Sequence, residues 1–162
     1  MRRGHVDSGA AMMAVDTRLV GYLNRALGHE MAAVQQYLAQ SRLCDLWGHG
    51  KLCAHFRQDA VEELRHAEDL MGALLEQGVA PQAAQVQPVR LGRSLDEMLR
   101  IDHALEIDAV RLYETALEYC RRLGADRHGD LFSRILDDEL KHLDELARLG
   151  ASSIVTKESQ HE

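Results

Sequence analysis

The chain is short of what builds a sheet, a disulfide scaffold or a membrane span. Aromatic residues make up 4% of its 162 residues and there are only 2 prolines. Val, Ile and Thr are also few, while Ala, Leu, Glu and Arg dominate, which favours long helices over strands. The three cysteines, Cys44, Cys53 and Cys120, form no Cys-x-x-Cys pair and leave an odd count. They are read as reduced thiols of a cytoplasmic protein rather than as a framework. No apolar run approaches the roughly 18 residues of a membrane helix. Positive charge is short too: 19 Lys and Arg against 26 Asp and Glu, a net charge of −7, so the basic face that nucleic acid requires is not expected. Arg2 and Arg3 are not followed by a hydrophobic segment, so a secretory signal is not expected either.

What remains is a single domain's worth of helix. Residues 1–15 are read as a disordered or extended segment, 16–150 as the folded body and 151–162 as a polar tail. Four helical stretches follow from apolar residues at 3.6 spacing. The first is capped by Asp16 and carries Leu19, Leu23, Leu27, Val34 and Leu38 to about Trp47. The second runs from about Lys51 to Gly78 through Leu52, Phe56, Ala60, Leu70 and Leu74. In the third, Ser94 and Glu97 spell a capping box, and the helix continues to Leu123. The fourth begins near Asp126 and is expected to stop at Gly150. The connection over residues 78–93 holds both prolines, Pro81 and Pro88. About 16 residues can span roughly 50 Å, more than the roughly 40 Å of a 27-residue helix. It can therefore cross the whole molecule and start the third helix parallel to the second. The fold class is all-α: a four-helix bundle with one long crossover between helices two and three.

The chemistry lies in an internal repeat. Glu30-x-x-Ala33-Val34-x-x-Tyr37 returns as Glu106-x-x-Ala109-Val110-x-x-Tyr113, and Glu62-Glu63-Leu64-Arg65-His66 returns as Asp138-Glu139-Leu140-Lys141-His142. Every member recurs at an offset of 76 residues. Residues three apart share a helix face, so Glu63 projects with His66 and Glu139 with His142. Glu30 and Glu106 lie among the apolar residues of their own helices. Four carboxylates and two imidazoles thus point into one interior, an arrangement that two divalent cations would neutralise and that is costly without them. A lone Glu-x-x-His is common on solvated helices; the duplication carries the specificity. His103, three residues before Glu106, has Leu27 as its repeat counterpart and is read as a surface or packing residue. His29, His49, His55 and His128 also lack repeat partners, and most are expected to be solvated. Tyr37 and Tyr113 are read first as core residues.

At these residues the sequence resembles the bacterioferritins, over about Asp16 to Leu149. The likeness includes Tyr22-Leu-Asn-Arg-Ala-Leu-Gly-His-Glu30, Gln35-Gln36-Tyr37, Trp47-Gly48 and both Glu-x-x-His motifs. It implies a ferritin-like bundle and a di-iron centre that oxidises Fe²⁺ with O₂ or H₂O₂. The iron ligands would be Glu30, Glu63, His66, Glu106, Glu139 and His142, with Glu63 and Glu139 bridging two iron ions per subunit. It further implies iron storage or detoxification and a homo-oligomeric cage of 24 subunits.

Three departures qualify the likeness. Many relatives bind haem through a methionine directly after the first bridging Glu, and here that position is Leu64. Haem held by this chain alone is therefore not expected; a haem-competent partner subunit could share a mixed cage, and Met31 is read as core. Gln58 and Glu62 replace the His and Asp that hold an inner-surface iron in some members. The polar ending replaces the family's usual longer fourth helix and short fifth one. The alternative activity on the same ligands is a rubrerythrin-like peroxide reductase.

Overall fold

A computed structural model describes the backbone over residues 15–158 and the side chains over 15–151. The N-terminal segment up to residue 14 lies outside the described residues. Four helices account for the fold: α1 (Thr17–Leu46), α2 (Gly50–Glu76), α3 (Leu95–Leu123) and α4 (Asp126–Glu158). Their ends follow local chemistry. The Asp16 carboxylate accepts from the Leu19 N–H at 2.7 Å, and the Ser94 hydroxyl accepts from the Glu97 N–H at 3.2 Å; caps of this kind contribute about 1 kcal/mol each. Glu97 does not close the expected box onto Ser94. Its Oε2 takes the N–H of Arg93, one residue earlier, at 2.8 Å. Gly124 ends α3 at φ 71°, where a side chain would be strained.

α4 departs from its expected end. The helix passes through Gly150 and continues to Glu158. A helical glycine costs only about 1 kcal/mol relative to alanine, Gly150 does not adopt a positive φ, and no proline follows. A glycine alone was too weak a stop signal. Leu38 is likewise not core but 40% exposed, on the outer side of α1.

α1 packs along α2 and α3 along α4, with α1 against α3 and α2 against α4 closing the bundle. The crossover makes α2 and α3 parallel, and α1 holds it at three places. The Gln82 N–H donates to Asn24 Oδ1 at 2.9 Å, and the Ala84 N–H to the Asn24 carbonyl at 3.0 Å. The Gln36 amide pairs with both backbone groups of Arg90, donating at 2.8 Å and accepting at 2.9 Å. Between them the strap presses on Gly28, where an added Cβ would lie 1.9 Å from the Ala84 carbonyl oxygen.

Two apolar clusters fill the interior. One gathers Leu23, Leu27, Leu70, Leu74, Tyr113, Phe132 and Ile135; the other, toward the opposite end, gathers Ala33, Tyr37, Phe56, Met98 and Leu146. Between them lies a polar layer.

Candidate di-metal centre

Glu30, Glu63, Glu106 and Glu139 are at most 1% exposed, His66 is 7% and His142 is 6%. All six residues singled out by the repeat therefore meet in the buried layer, one carboxylate from each helix and one imidazole from each of α2 and α4. Their donor atoms form two groups, Glu30–Glu63–His66–Glu139 and Glu63–Glu106–Glu139–His142, within each of which all lie within 4.8 Å of one another. Glu63 and Glu139 belong to both. The two imidazole rings face each other across the layer with centroids 6.4 Å apart.

Each histidine turns its Nδ1 inward. His66 Nδ1 lies 3.0 Å from Glu63, 3.2 Å from Glu139 and 3.6 Å from Glu30. His142 Nδ1 lies 3.2 Å from Glu63, 3.6 Å from Glu139 and 3.9 Å from Glu106. The outer nitrogens meet two further carboxylates: His66 Nε2 faces Asp138 at 3.4 Å, and His142 Nε2 faces Glu62 at 3.2 Å. An imidazole that gives its N–H to an outer carboxylate keeps the other nitrogen free and oriented for a metal. Glu62 and Asp138 are repeat partners, and each serves the histidine of the other half. The sequence carried the signal, an acid directly before each shared Glu, but only the packing of α2 against α4 shows whom it serves. Glu62 is held in place by the Gln58 amide at 2.8 Å.

The tyrosines also cross between halves. The Tyr37 hydroxyl donates to Glu106, and the Tyr113 hydroxyl to Glu30. They do more than pack: each orients one carboxylate, leaving the other oxygen for the centre.

The electrostatics show the strain of six such groups together. Burial, then the charges of Glu139 and Glu63, pushes Glu30 well above the usual carboxyl range; burial and Glu139 do the same to Glu106. Burial also opposes ionisation of Glu63 and Glu139, but contacts with the two histidines outweigh it and hold both low. For the imidazoles burial opposes charge, yet the carboxylates around them win. His66 is raised far above its ordinary value by Glu139, Glu30 and Glu63, and His142 is pushed up to about 12 by Glu139 and Glu63. Four buried atoms, Glu30 Oε2, Glu63 Oε1, Glu139 Oε1 and His142 Nδ1, have no hydrogen-bond partner among the described residues. Orphaned lone pairs aimed at one volume fit a pair of divalent cations, and oxygen with imidazole nitrogen is a donor set that Fe²⁺ accepts.

A family model for the ferritin-like domain matches residues 20–151. A bacterioferritin of Rhodobacter capsulatus is 33% identical over 132 residues, covering 82% of each chain. This chain belongs to the bacterioferritin family. A Brucella melitensis bacterioferritin is 34% identical, again over 82% of each chain, and bacterioferritin BfrA of Mycobacterium tuberculosis is 31% identical over 83% of this chain and 84% of its own. A solved Rhodobacter capsulatus bacterioferritin, described with a metal-free dinuclear site and a haem iron, superposes with a TM-score of 0.82 at 32% identity, covering 86% of this chain and 87% of that one.

Within the family frame, the other candidates separate. Leu64 is 44% exposed on the outer side of α2, while Met31 packs against the first apolar cluster. His49 and His103 are exposed, but His29, His55 and His128 are half-buried rather than solvated. His128 Nε2 pairs with the Gln77 amide at 3.1 Å. One buried pair had no sequence signal: Gln40 donates to Asp102 at 2.6 Å with both residues fully buried. Cys44, Cys53 and Cys120 are all free thiols, and among the described residues no helix is long and apolar enough to cross a membrane.

Proposed function

We propose that this chain is a ferroxidase: it binds two Fe²⁺ as substrate in the buried layer and oxidises both. The observation that carries this reading is the pair of overlapping four-donor groups sharing Glu63 and Glu139. In it Glu63 and Glu139 would be shared by the two ions, Glu30 with His66 would complete one site, and Glu106 with His142 the other. Two ions carry +4 against four carboxylates, and each ligand must be free of its proton to bind them. The chain's own work is positioning. Tyr37 and Tyr113 fix the terminal carboxylates, Asp138 and Glu62 fix the imidazoles, and the apolar clusters above and below exclude bulk water. Each Fe²⁺ gives up one electron. The pair reduces O₂ with two protons to H₂O₂, or H₂O₂ with two protons to two waters.

By its family the chain would act in an oligomeric cage of 24 subunits, storing the ferric product and removing free Fe²⁺ from a reducing cytoplasm; the free thiols suit that compartment. Leu64 offers no ligating atom, which supports a non-haem subunit, alone or beside a haem-binding partner chain in a mixed cage. Anaerobic loading of apoprotein with Fe²⁺ followed by air tests the reading. Two irons oxidised per chain are expected, with oxidation abolished in a Glu63→Ala/Glu139→Ala variant. One iron per chain, or normal oxidation by that variant, would overturn it.

A further inference from the structure

Beyond the di-metal layer, a second cluster of ligating side chains spans α2 and α4. His55 and Asp59 lie one turn apart on α2, and Glu145 faces them from α4; one donor atom of each lies within 4.8 Å of the others. Asp59 is one turn from Glu63 along α2, and Glu145 is one turn from His142 along α4, about 5 Å of rise in each case. The burial is graded: Asp59 is buried with 7% exposure, His55 is half-buried and Glu145 is exposed.

The buried member lacks a strong partner. The Asp59 side chain is only 9% exposed, and its ion-pair contact is His55 Nε2 at 3.5 Å. Burial pushes that carboxyl up to about 7, and burial likewise lowers His55 toward its neutral form. A buried carboxyl whose one ion-pair contact is that long is costly to keep. The repeat does not explain the cluster, because the counterparts of His55 and Asp59 at the 76-residue offset are Leu131 and Ile135, both core residues. Whatever His55 and Asp59 do, it is done in one half only.

We infer that His55, Asp59 and Glu145 form a third divalent-cation site, adjoining the di-metal centre and opening toward solvent through Glu145. Two carboxylates balance one M²⁺, the imidazole supplies a nitrogen, and water completes the shell. That donor set suits a first-row divalent ion such as Fe²⁺, Mn²⁺ or Zn²⁺.

Anomalous diffraction at the zinc edge, on crystals of the full chain soaked in Zn²⁺ alone, tests the site, with calorimetric Zn²⁺ titration as a second measure. A peak about 2.0–2.2 Å from a His55 nitrogen and carboxylate oxygens of Asp59 and Glu145 is expected, giving three ions per chain. Asp59→Asn, which keeps the shape, and Glu145→Gln, at an exposed position, should each weaken that ion at least tenfold while both dinuclear peaks remain. No peak at this position with the dinuclear positions filled would overturn the inference, as would an undiminished peak in both variants. A third peak with the dinuclear positions vacant would sustain this site and sink the ferroxidase reading.

Discussion

The first half of the chain, α1 with α2, and the second, α3 with α4, are copies at the buried Glu/His layer and strangers elsewhere. In the layer the 76-residue offset pairs Glu30 with Glu106, Tyr37 with Tyr113, Glu62 with Asp138, Glu63 with Glu139 and His66 with His142. Each tyrosine and each outer acid serves the opposite half. Away from it the correspondence lapses. Asn24, Gly28 and Gln36 on α1 hold the crossover, while their counterparts on α3 are Arg100, Ala104 and Leu112. Gln40 and Asp102, which bond to each other, have Ala116 and Ala26 as counterparts. Two equivalent cations, as proposed, would demand equivalent ligands, whereas one crossover needs only one cradle. Symmetry is kept where charge requires it.

The equivalence can be broken most severely at the shared ligands. Glu63→Ala and Glu139→Ala should each weaken both ions by more than about 100-fold, since even an outer partner is worth about 10–100-fold. Glu30→Ala and Glu106→Ala should each weaken one ion first. Calorimetric titration with Zn²⁺ checks this; a loss of only one ion in Glu63→Ala would show that the halves do not share their central carboxylates.

Protons probe both halves at once. Glu30, Glu106, His66 and His142 all have raised affinities for protons in the metal-free fold, and a ligand must shed its proton to bind. Metal affinity should therefore weaken as pH falls, by about tenfold per unit for each proton displaced per ion. For the metal-free bundle the imidazolium contribution has the opposite sense. It is complete below the ordinary imidazole range and is lost as pH rises toward about 12, the value His142 reaches. Thermal melts across pH 6–9 with and without Zn²⁺ should show a metal-induced rise in Tm that grows with pH; a rise that shrinks would contradict the charge balance described above.

The outer acids offer a milder test. Glu62→Gln and Asp138→Asn should weaken binding by similar factors, about 10–100-fold, and a marked inequality would mark one histidine as differently held. Smallest are the effects on the scaffold, and these should be unequal. Gly28→Ala forces a methyl into the Ala84 carbonyl and should cost about 1–3 kcal/mol in urea unfolding. Ala104→Gly, at the exposed counterpart on α3, should cost only about 0.5–1 kcal/mol.

In both halves local signals were legible and long-range ones were not. The six candidate ligands stood out because the same residue types recurred at one offset on helical spacing, and the caps at Asp16 and Ser94 were readable because capping is local. The roles of Glu62, Asp138 and the two tyrosine hydroxyls were not, since their partners lie 69 to 83 residues away in sequence. The end of α4 is not written at Gly150, because a glycine bears on helix stability too weakly to act as a stop.

Periodicity, caps and the repeat alone determined that this chain makes four long helices with one crossover and carries six acidic and imidazole groups toward a common interior, because those signals are written in short stretches of covalent chain. Which oxygen faces which nitrogen, why residue 28 must be glycine, and that His55 and Asp59 meet Glu145 were decided only when the helices came together. Each is a distance between side chains on different helices, and no spacing along one of them contains it.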